Sequence, residues 1–243
     1  MMNMDVSCPG NKLLAHLLRV VYPPRCVFCG DSGFADMDIC ETCYRQLPWI
    51  ESSCTQCAIP LADGSGNQLK CGSCLQKPPH FDRSQSLFSY EKNAVHLIRQ
   101  LKYKEKLAYS RLLGRMLADR VGQDGAALPH CLLPVPLNKK RLRQRGFNQS
   151  VEFSREVVEQ FGLILDVSSV ARIRDTQSQS GLDKNQRRKN IRGAFQVIRP
   201  VCAEHVVIVD DVVTTTSTVN ELARVLKKAG VRRVDVWSIA RAV

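Results

Sequence analysis

Two adjacent carboxylates, Asp210 and Asp211, interrupt a β-branched apolar run, and five hydroxyl residues follow: Thr214, Thr215, Thr216, Ser217 and Thr218. The stretch from His205 to Val219 reads HVVIVDDVVTTTSTV. Continuous Val/Ile runs mark parallel strands buried on both faces, and open α/β sheets hold ligands beyond the carboxyl ends of their strands. Carboxylates at such an end can accept hydrogen bonds from vicinal hydroxyls or hold Mg²⁺. Hydroxyls and backbone N–H groups at the start of the next helix can bind a phosphate. The combination suits a sugar phosphate. A plainer alternative is a strand-end acidic pair capping a helix with no ligand.

A second chemistry sits near the other end of the chain. Eight cysteines form four C-x-x-C pairs: Cys26/Cys29, Cys40/Cys43, Cys54/Cys57 and Cys71/Cys74. Two thiolates on one turn make half of a tetrahedral zinc site, so four pairs imply two structural zinc ions. Pairing nearest neighbours gives Cys26, Cys29, Cys40 and Cys43 for one ion, and Cys54, Cys57, Cys71 and Cys74 for the other. An interleaved pairing satisfies the same spacing. A disulfide scaffold, an iron–sulfur cluster and a redox pair are the competing readings, but no strand–helix context surrounds any pair as redox chemistry requires. The loops between pairs hold few apolar residues and need metal to fold. Four thiolates leave no open position, so the zinc is architectural. Of the remaining cysteines, Cys131 and Cys202 read as small core residues and Cys8 lies in the N-terminal tail.

These sites need a scaffold, and 243 residues with 44% hydrophobic content supply one or two domains with a packed core. The opening residues lack a basic stretch leading into an apolar one, and nothing marks secretion. Leu13–Val21 is too short to span a membrane, and its apolar positions fit an amphipathic helix. The chain therefore reads as cytoplasmic, with no membrane span. Two prolines at Lys77–His80 mark a linker. Strands are predicted at Ser84–Tyr90, Cys131–Leu137, Val167–Ile173, Ala194–Ile198, Val206–Val209 and Val234–Ala240. Helices are predicted at Asn93–Leu101, Tyr109–Val121, Phe147–Phe161 (with Asn148 at its start) and Val219–Lys228. Such alternation predicts an α/β domain on a parallel sheet.

The net charge of +12 favours an anionic partner. It concentrates in two segments. Lys139, Lys140, Arg141, Arg143 and Arg145 follow a predicted strand, as a loop able to meet a pyrophosphate. Arg172, Arg174, Lys184, Arg187, Arg188, Lys189 and Arg192 form the second run, which could close over a ligand. A solvated surface is the bland reading of either.

The acidic segment resembles the PRPP-binding motif of type I phosphoribosyltransferases, in which the acidic pair grips the ribose hydroxyls and the loop binds the 5-phosphate. One position departs: that family usually has Gly where this chain has Thr216. Glycine serves where backbone approaches a ligand closely or takes positive φ, so a Thr there narrows the cradle or tilts a peptide N–H. The order of cysteine pairs, PVPLNKKRLRQRGFNQS, RIRDTQSQSGLDKNQRRKNIRGAF and VDDVVTTTST resembles the ComF/GntX family from about Cys26 to the C-terminus. The resemblance implies a parallel-sheet type I phosphoribosyltransferase-like domain preceded by a small double zinc ribbon. The expected division is a tail and amphipathic helix at 1–25, the ribbon at 26–76 and the transferase-like domain at 81–243.

The resemblance further implies PRPP and Mg²⁺ as ligands, and a role in DNA uptake, natural transformation or the use of DNA as a nutrient. Single-stranded DNA and proteins of the uptake machinery are the implied partners. In a working transferase a nucleophile attacks C1 of PRPP, and Mg-pyrophosphate leaves against the basic residues. Salvage relatives often carry a basic Asp at the position of Thr214, so purine salvage of that type is not expected, and the acceptor is open. The rival reading is a non-catalytic protein on the same fold, binding single-stranded DNA or a protein partner.

Overall fold

Five parallel strands carry the larger part of the chain, and the apolar run before the acidic pair lies at their centre. The computed structural model describes residues 23–61, 70–101, 107–174, 184–201 and 203–242. The predicted amphipathic helix at 13–21, Cys202 and the middle of the second basic run, 175–183, lie outside the described residues. Two compact units form, Met1–Gln46 and Leu47–Val243. That division falls inside the stretch expected to be the ribbon, so the second set of cysteines folds in the same unit as the sheet.

In the first unit a short helix, α1 (Glu41–Arg45), begins at Cys40, whose sulfur accepts a hydrogen bond from the Cys43 N–H. In the second unit the described strands are β1 (Arg83–Ser89), β2 (Cys131–Pro134), β3 (Ile164–Leu165), β4 (Val170–Arg172), β5 (Phe195–Val197), β6 (His205–Val213) and β7 (Arg233–Arg241). The sheet runs β1-β7-β6-β2-β3, while β4 and β5 form a separate antiparallel pair. Helices α2 (Gly72–Gln76), α3 (Lys92–Gln100), α4 (Leu107–Gln123), α5 (Lys139–Arg145), α6 (Gln149–Phe161), α7 (Lys184–Ile191) and α8 (Ser217–Lys228) complete it.

Strand order explains where a ligand can sit. The chain leaves β2 through α6 for β3 on one side, and leaves β6 through α8 for β7 on the other. The two connections diverge, which opens a crevice at the carboxyl ends of β2 and β6. The last link across it is the Val135 N–H donating to the Val209 carbonyl at 2.9 Å. Beyond Val209, β6 continues on β7 alone, pairing Asp210 with Ser238 and Val213 with Arg241. β6 is therefore longer than its predicted span of Val206–Val209, because the ladder to β7 outlasts the ladder to β2.

Helix faces follow the apolar spacing. Val219, Leu222, Ala223 and Leu226 of α8 are all buried, one stripe at i, i+3, i+4 and i+7. Leu112, Leu113, Met116, Leu117 and Val121 of α4 are buried as their periodicity predicts. Each large apolar side chain so buried contributes about 2 kcal/mol. One element overturns the expectation of a loop. The basic segment after PVPL is helix α5, started by the Asn138 side chain accepting from the Arg141 N–H at 2.7 Å and ended at Gly146. Its only apolar residue, Leu142, is exposed, so no hydrophobic period announced it.

Helices α4 and α6 pack closely at Gly114, where a Cβ would collide with the Phe153 carbonyl and the Glu156 side chain. Gly114→Ala is expected to destabilise the second unit by about 2 kcal/mol, the cost of overpacking a fixed backbone contact. Chemical denaturation of the two proteins checks this; an unchanged midpoint would show that the helices can separate without cost.

Candidate functional site

The crevice beyond β2 and β6 is a cleft of about 580 Å³. Asp210, Asp211, Thr214, Thr216, Ser217 and Thr218 line one side of it. Arg141 and Arg145 line it too, one helical turn apart on α5. Thr215 belongs to the same loop but not to the lining, and its hydroxyl hydrogen-bonds that of Ser217 at 2.9 Å. Lys139, Lys140 and Arg143 are exposed and outside the lining. The helical form of α5 explains the split, because i, i+4 residues share a face while their neighbours turn away.

Sequence reasoning had placed Arg172 in a closing basic run; the fold brings it to the cleft wall, with its guanidinium 5.7 Å from the Phe195 ring centroid. Tyr90, Ile98, Asn148 and Gln149 also line the cleft and were not foreseen as site residues. Asn148 was expected at a helix start and stands there, accepting from the Ser150 N–H and donating to the Val135 carbonyl at 3.0 Å. That bond ties the start of α6 to the end of β2. Gln149 is 2% exposed, and its amide nitrogen has no hydrogen-bond partner among the described residues.

The acidic pair is electrostatically loaded. Burial pushes the Asp210 carboxyl well above its ordinary range, the Asp211 charge pushes it further, and Arg172 opposes both. Asp210 in turn accepts from the Asp211 N–H at 3.0 Å, and Asp211 accepts from the Val212 N–H at 2.8 Å. Across the cleft, burial lowers Arg145 from its usual value while Asp211 acts in the opposite sense. Arg145 remains a cation at any physiological pH. The cleft thus sets guanidinium groups near carboxylates, with room for a ligand that carries both hydroxyls and phosphates.

The phosphate-type loop holds a strained residue. Thr216 has φ +60° and ψ −1° immediately before α8. Positive φ is rare for a β-branched residue and costs on the order of 1–3 kcal/mol. The conformation usual for glycine is therefore kept although the side chain is not glycine. The Thr216 hydroxyl donates to the Thr215 carbonyl at 2.6 Å.

Both cysteine sets assemble as nearest neighbours. The four Sγ atoms of Cys26, Cys29, Cys40 and Cys43 lie within 4.8 Å of one another, as do those of Cys54, Cys57, Cys71 and Cys74. A tetrahedral ion with Zn–S bonds of about 2.3 Å sets sulfurs about 3.8 Å apart. Cys29–Cys40 and Cys57–Cys71 measure 3.7 Å, and Cys29–Cys43 measures 3.9 Å. N–H groups are aimed at sulfurs, with Cys71 donating to Cys54 at 3.2 Å. Burial raises the Cys26 thiol, but the N–H groups of Cys40, Cys29 and Phe28 outweigh it and hold it down to about 6. Burial likewise raises Cys54, and the N–H groups of Cys71, Cys57 and Gln56 bring it to about 7. Such donors favour one thiolate in each set, while Cys29 and Cys43 in the first and Cys57 and Cys74 in the second are pushed up. Both sets have the geometry of a structural zinc site. The two knuckles also share a turn: Gly30 donates to the Cys26 carbonyl at φ +81°, and Ala58 to the Cys54 carbonyl at φ +56°.

Residues 17–75 match the double zinc ribbon domain and residues 148–242 the phosphoribosyl transferase domain. DNA utilization protein YhgH of Salmonella typhimurium is 37% identical over 209 residues, covering 84% of this chain and 91% of that protein. The chain belongs to the ComF/GntX family. Its ComF-type relatives include DNA utilization protein YhgH of Escherichia coli K12, 36% identical with the same coverage. Competence protein F of Haemophilus influenzae is 30% identical over 233 residues, covering 90% of this chain and 97% of that protein. Among the described residues no helix is long and apolar enough to cross a membrane. In this ComF/GntX chain the matched transferase stretch begins at Asn148, so the arginines of α5 lie just outside it.

The raised Asp210 sets a pH dependence of stability. As pH rises through the ordinary aspartate range, the unfolded chain loses its proton while folded Asp210 keeps its own, so stability falls. Asp210→Asn is expected to melt higher than the parent at neutral pH. The gap should close as the solution is acidified toward the ordinary aspartate value. Thermal melts across pH test this, and a variant that melts lower at neutral pH would show that the carboxylate stabilises the fold.

Proposed function

We propose that this protein binds PRPP with Mg²⁺ in the cleft between β2 and β6 and acts in the cellular handling of DNA. Asp210 and Asp211 take the ribose 2- and 3-hydroxyls, and the loop Thr214–Thr218 takes the 5-phosphate through hydroxyls and N–H groups at the start of α8. Arg141 and Arg145 face the pyrophosphate, and Mg²⁺ supplies the remaining neutralisation when bound. The single observation carrying this reading is that the acidic pair, the hydroxyl loop and two arginines open on one cleft of about 580 Å³.

Turnover would proceed by attack of a nucleophile on C1 of the ribose, with breakage of its bond to pyrophosphate. Arg141 and Arg145 stabilise the negative charge that grows on the leaving group. The chain has Thr214 where salvage enzymes place an acidic base, so the acceptor must arrive already nucleophilic or bring its own base. The relatives' names, DNA utilization protein and competence protein F, support a place in DNA uptake or the use of DNA as a nutrient. Single-stranded DNA is the polyanion suited to Lys139, Lys140 and Arg143, the exposed cations of α5. The protein works in the cytoplasm, beside proteins of the uptake machinery.

Calorimetric titration of the zinc-loaded protein with PRPP and Mg²⁺ is expected to show saturable binding. Asp210→Asn with Asp211→Asn should abolish it while circular dichroism remains unchanged. Unaltered affinity in the folded double variant would remove the ribose-binding assignment. Thr216→Gly relieves the positive-φ strain and opens the cradle, so it is expected to raise PRPP affinity several-fold; equal or weaker binding would clear Thr216 of obstructing the site.

A further inference from the structure

Arg241, at the carboxyl end of β7, is 6% exposed and hydrogen-bonds only carbonyls among its described partners. Its Nε donates to the carbonyl of Cys57 at 2.9 Å, and Cys57 is a ligand of the second cysteine site. Its Nη1 donates to the carbonyl of Val213 at 3.1 Å, and to those of Thr214 and Ala242. One guanidinium therefore ties a metal-site knuckle to the first peptides of the phosphate-type loop.

We propose that Arg241 is a positioning residue that couples the second cysteine site to the 5-phosphate loop, so that zinc there and PRPP in the cleft each strengthen binding of the other. This coupling rests on the PRPP reading of the loop. A trans peptide sets its C=O and N–H in opposite directions. Holding the Val213 and Thr214 carbonyls on one guanidinium turns the N–H groups of Thr214 and Thr215 away from it, in succession. Successive N–H groups with a shared direction make an anion-binding concavity. Arg241 acts on the phosphate through those peptides and does not touch it.

The other end of the clamp depends on the metal site. Four thiolates around a divalent ion would form a net dianion beside the knuckle that a buried guanidinium holds, and that guanidinium's described partners are neutral carbonyls. Packing adds a second connection. Cys54, Cys57 and Cys74 belong to the same hydrophobic cluster as Val213, Val219 and Leu222, which flank the loop on both sides. The knuckle is also fixed to β1, where the Ser84 N–H donates to the Thr55 carbonyl at 3.3 Å. The first cysteine site belongs to the other unit.

Coupling of two ligands is reciprocal in their affinities, so the zinc that a competing chelator removes at equilibrium reports on it. The full zinc-loaded chain is mixed with a colorimetric chelator, with and without PRPP and Mg²⁺. PRPP is expected to tighten retention of one zinc on the order of tenfold, toward the lower end of the range for coupled sites, and to leave the other unchanged. A Cys29→Ser chain, lacking the first site, should keep the PRPP-sensitive zinc. Arg241→Gln should weaken PRPP binding by a similar factor and make zinc release insensitive to PRPP, with Arg241→Lys recovering part of both. PRPP binding to the parent with no effect on either zinc would overturn the coupling alone. Failure of the parent to bind PRPP would overturn the ligand assignment and the coupling with it. Should Arg241→Gln misfold, the release experiment on the parent still decides.

Discussion

The ladder between β6 and β7 outlasting the ladder between β6 and β2 is the constraint on which the site depends. Where β2 leaves at Val135, one edge of β6 loses its partner, but β7 keeps the strand extended through Val213. Consecutive side chains in a strand point to opposite faces. Two adjacent aspartates can therefore line one cleft only where the sheet has opened beside them. The same departure of β2 releases the chain that becomes α5, and the Asn148 bond to Val135 draws the start of α6 against the opening. Backbone pairing thus brings arginines to carboxylates and hydroxyls that are distant from them in sequence.

Charge in that cleft is arranged at a cost the core absorbs. Asp210 is held near Asp211 with burial opposing its ionisation, and the charge of Arg172 on the cleft wall offsets part of that cost. A site finished by its own salt bridges would have little left to offer a ligand. Here burial still weighs on the Asp210 carboxylate. Destabilised functional groups of this kind are common where proteins trade stability for binding.

Much of this was legible in the residues. The Val/Ile run, the cysteine spacing and the apolar periods of α4 and α8 each encode local geometry, and the structure follows them closely. Asn148 was visible as a cap because capping is also local. Tyr90, Ile98 and Gln149 were not visible, since what brings them to the cleft is strand order and helix packing rather than any neighbour in sequence. Helix α5 is the instructive miss. Its caps, Asn138 and Gly146, were in plain sight, but a helix resting on polar and charged residues has no apolar stripe to reveal it. Reading Lys139–Arg145 as a loop concealed the division between Arg141 and Arg145, which face the cleft, and the exposed Lys139, Lys140 and Arg143.

Thr216 shows how a local rule can be broken and the structure kept. A β-branched residue at φ +60° works against the loop, and nothing in its own side chain removes that strain; the hydroxyl only satisfies the neighbouring carbonyl. What holds it there lies on either side. After it, four buried apolar residues of α8 fix where the helix must begin, at about 2 kcal/mol for each large one. Before it, β6 is fixed by its ladder to β7, and the Val213 and Thr214 carbonyls are held by Arg241. With both ends determined, the residue between them has one path whatever its preference. Strain of this kind persists only where the surroundings over-determine the backbone. The loop therefore holds a left-handed turn without the glycine that would make that turn easy, and its shape belongs to the elements on its flanks more than to the loop itself.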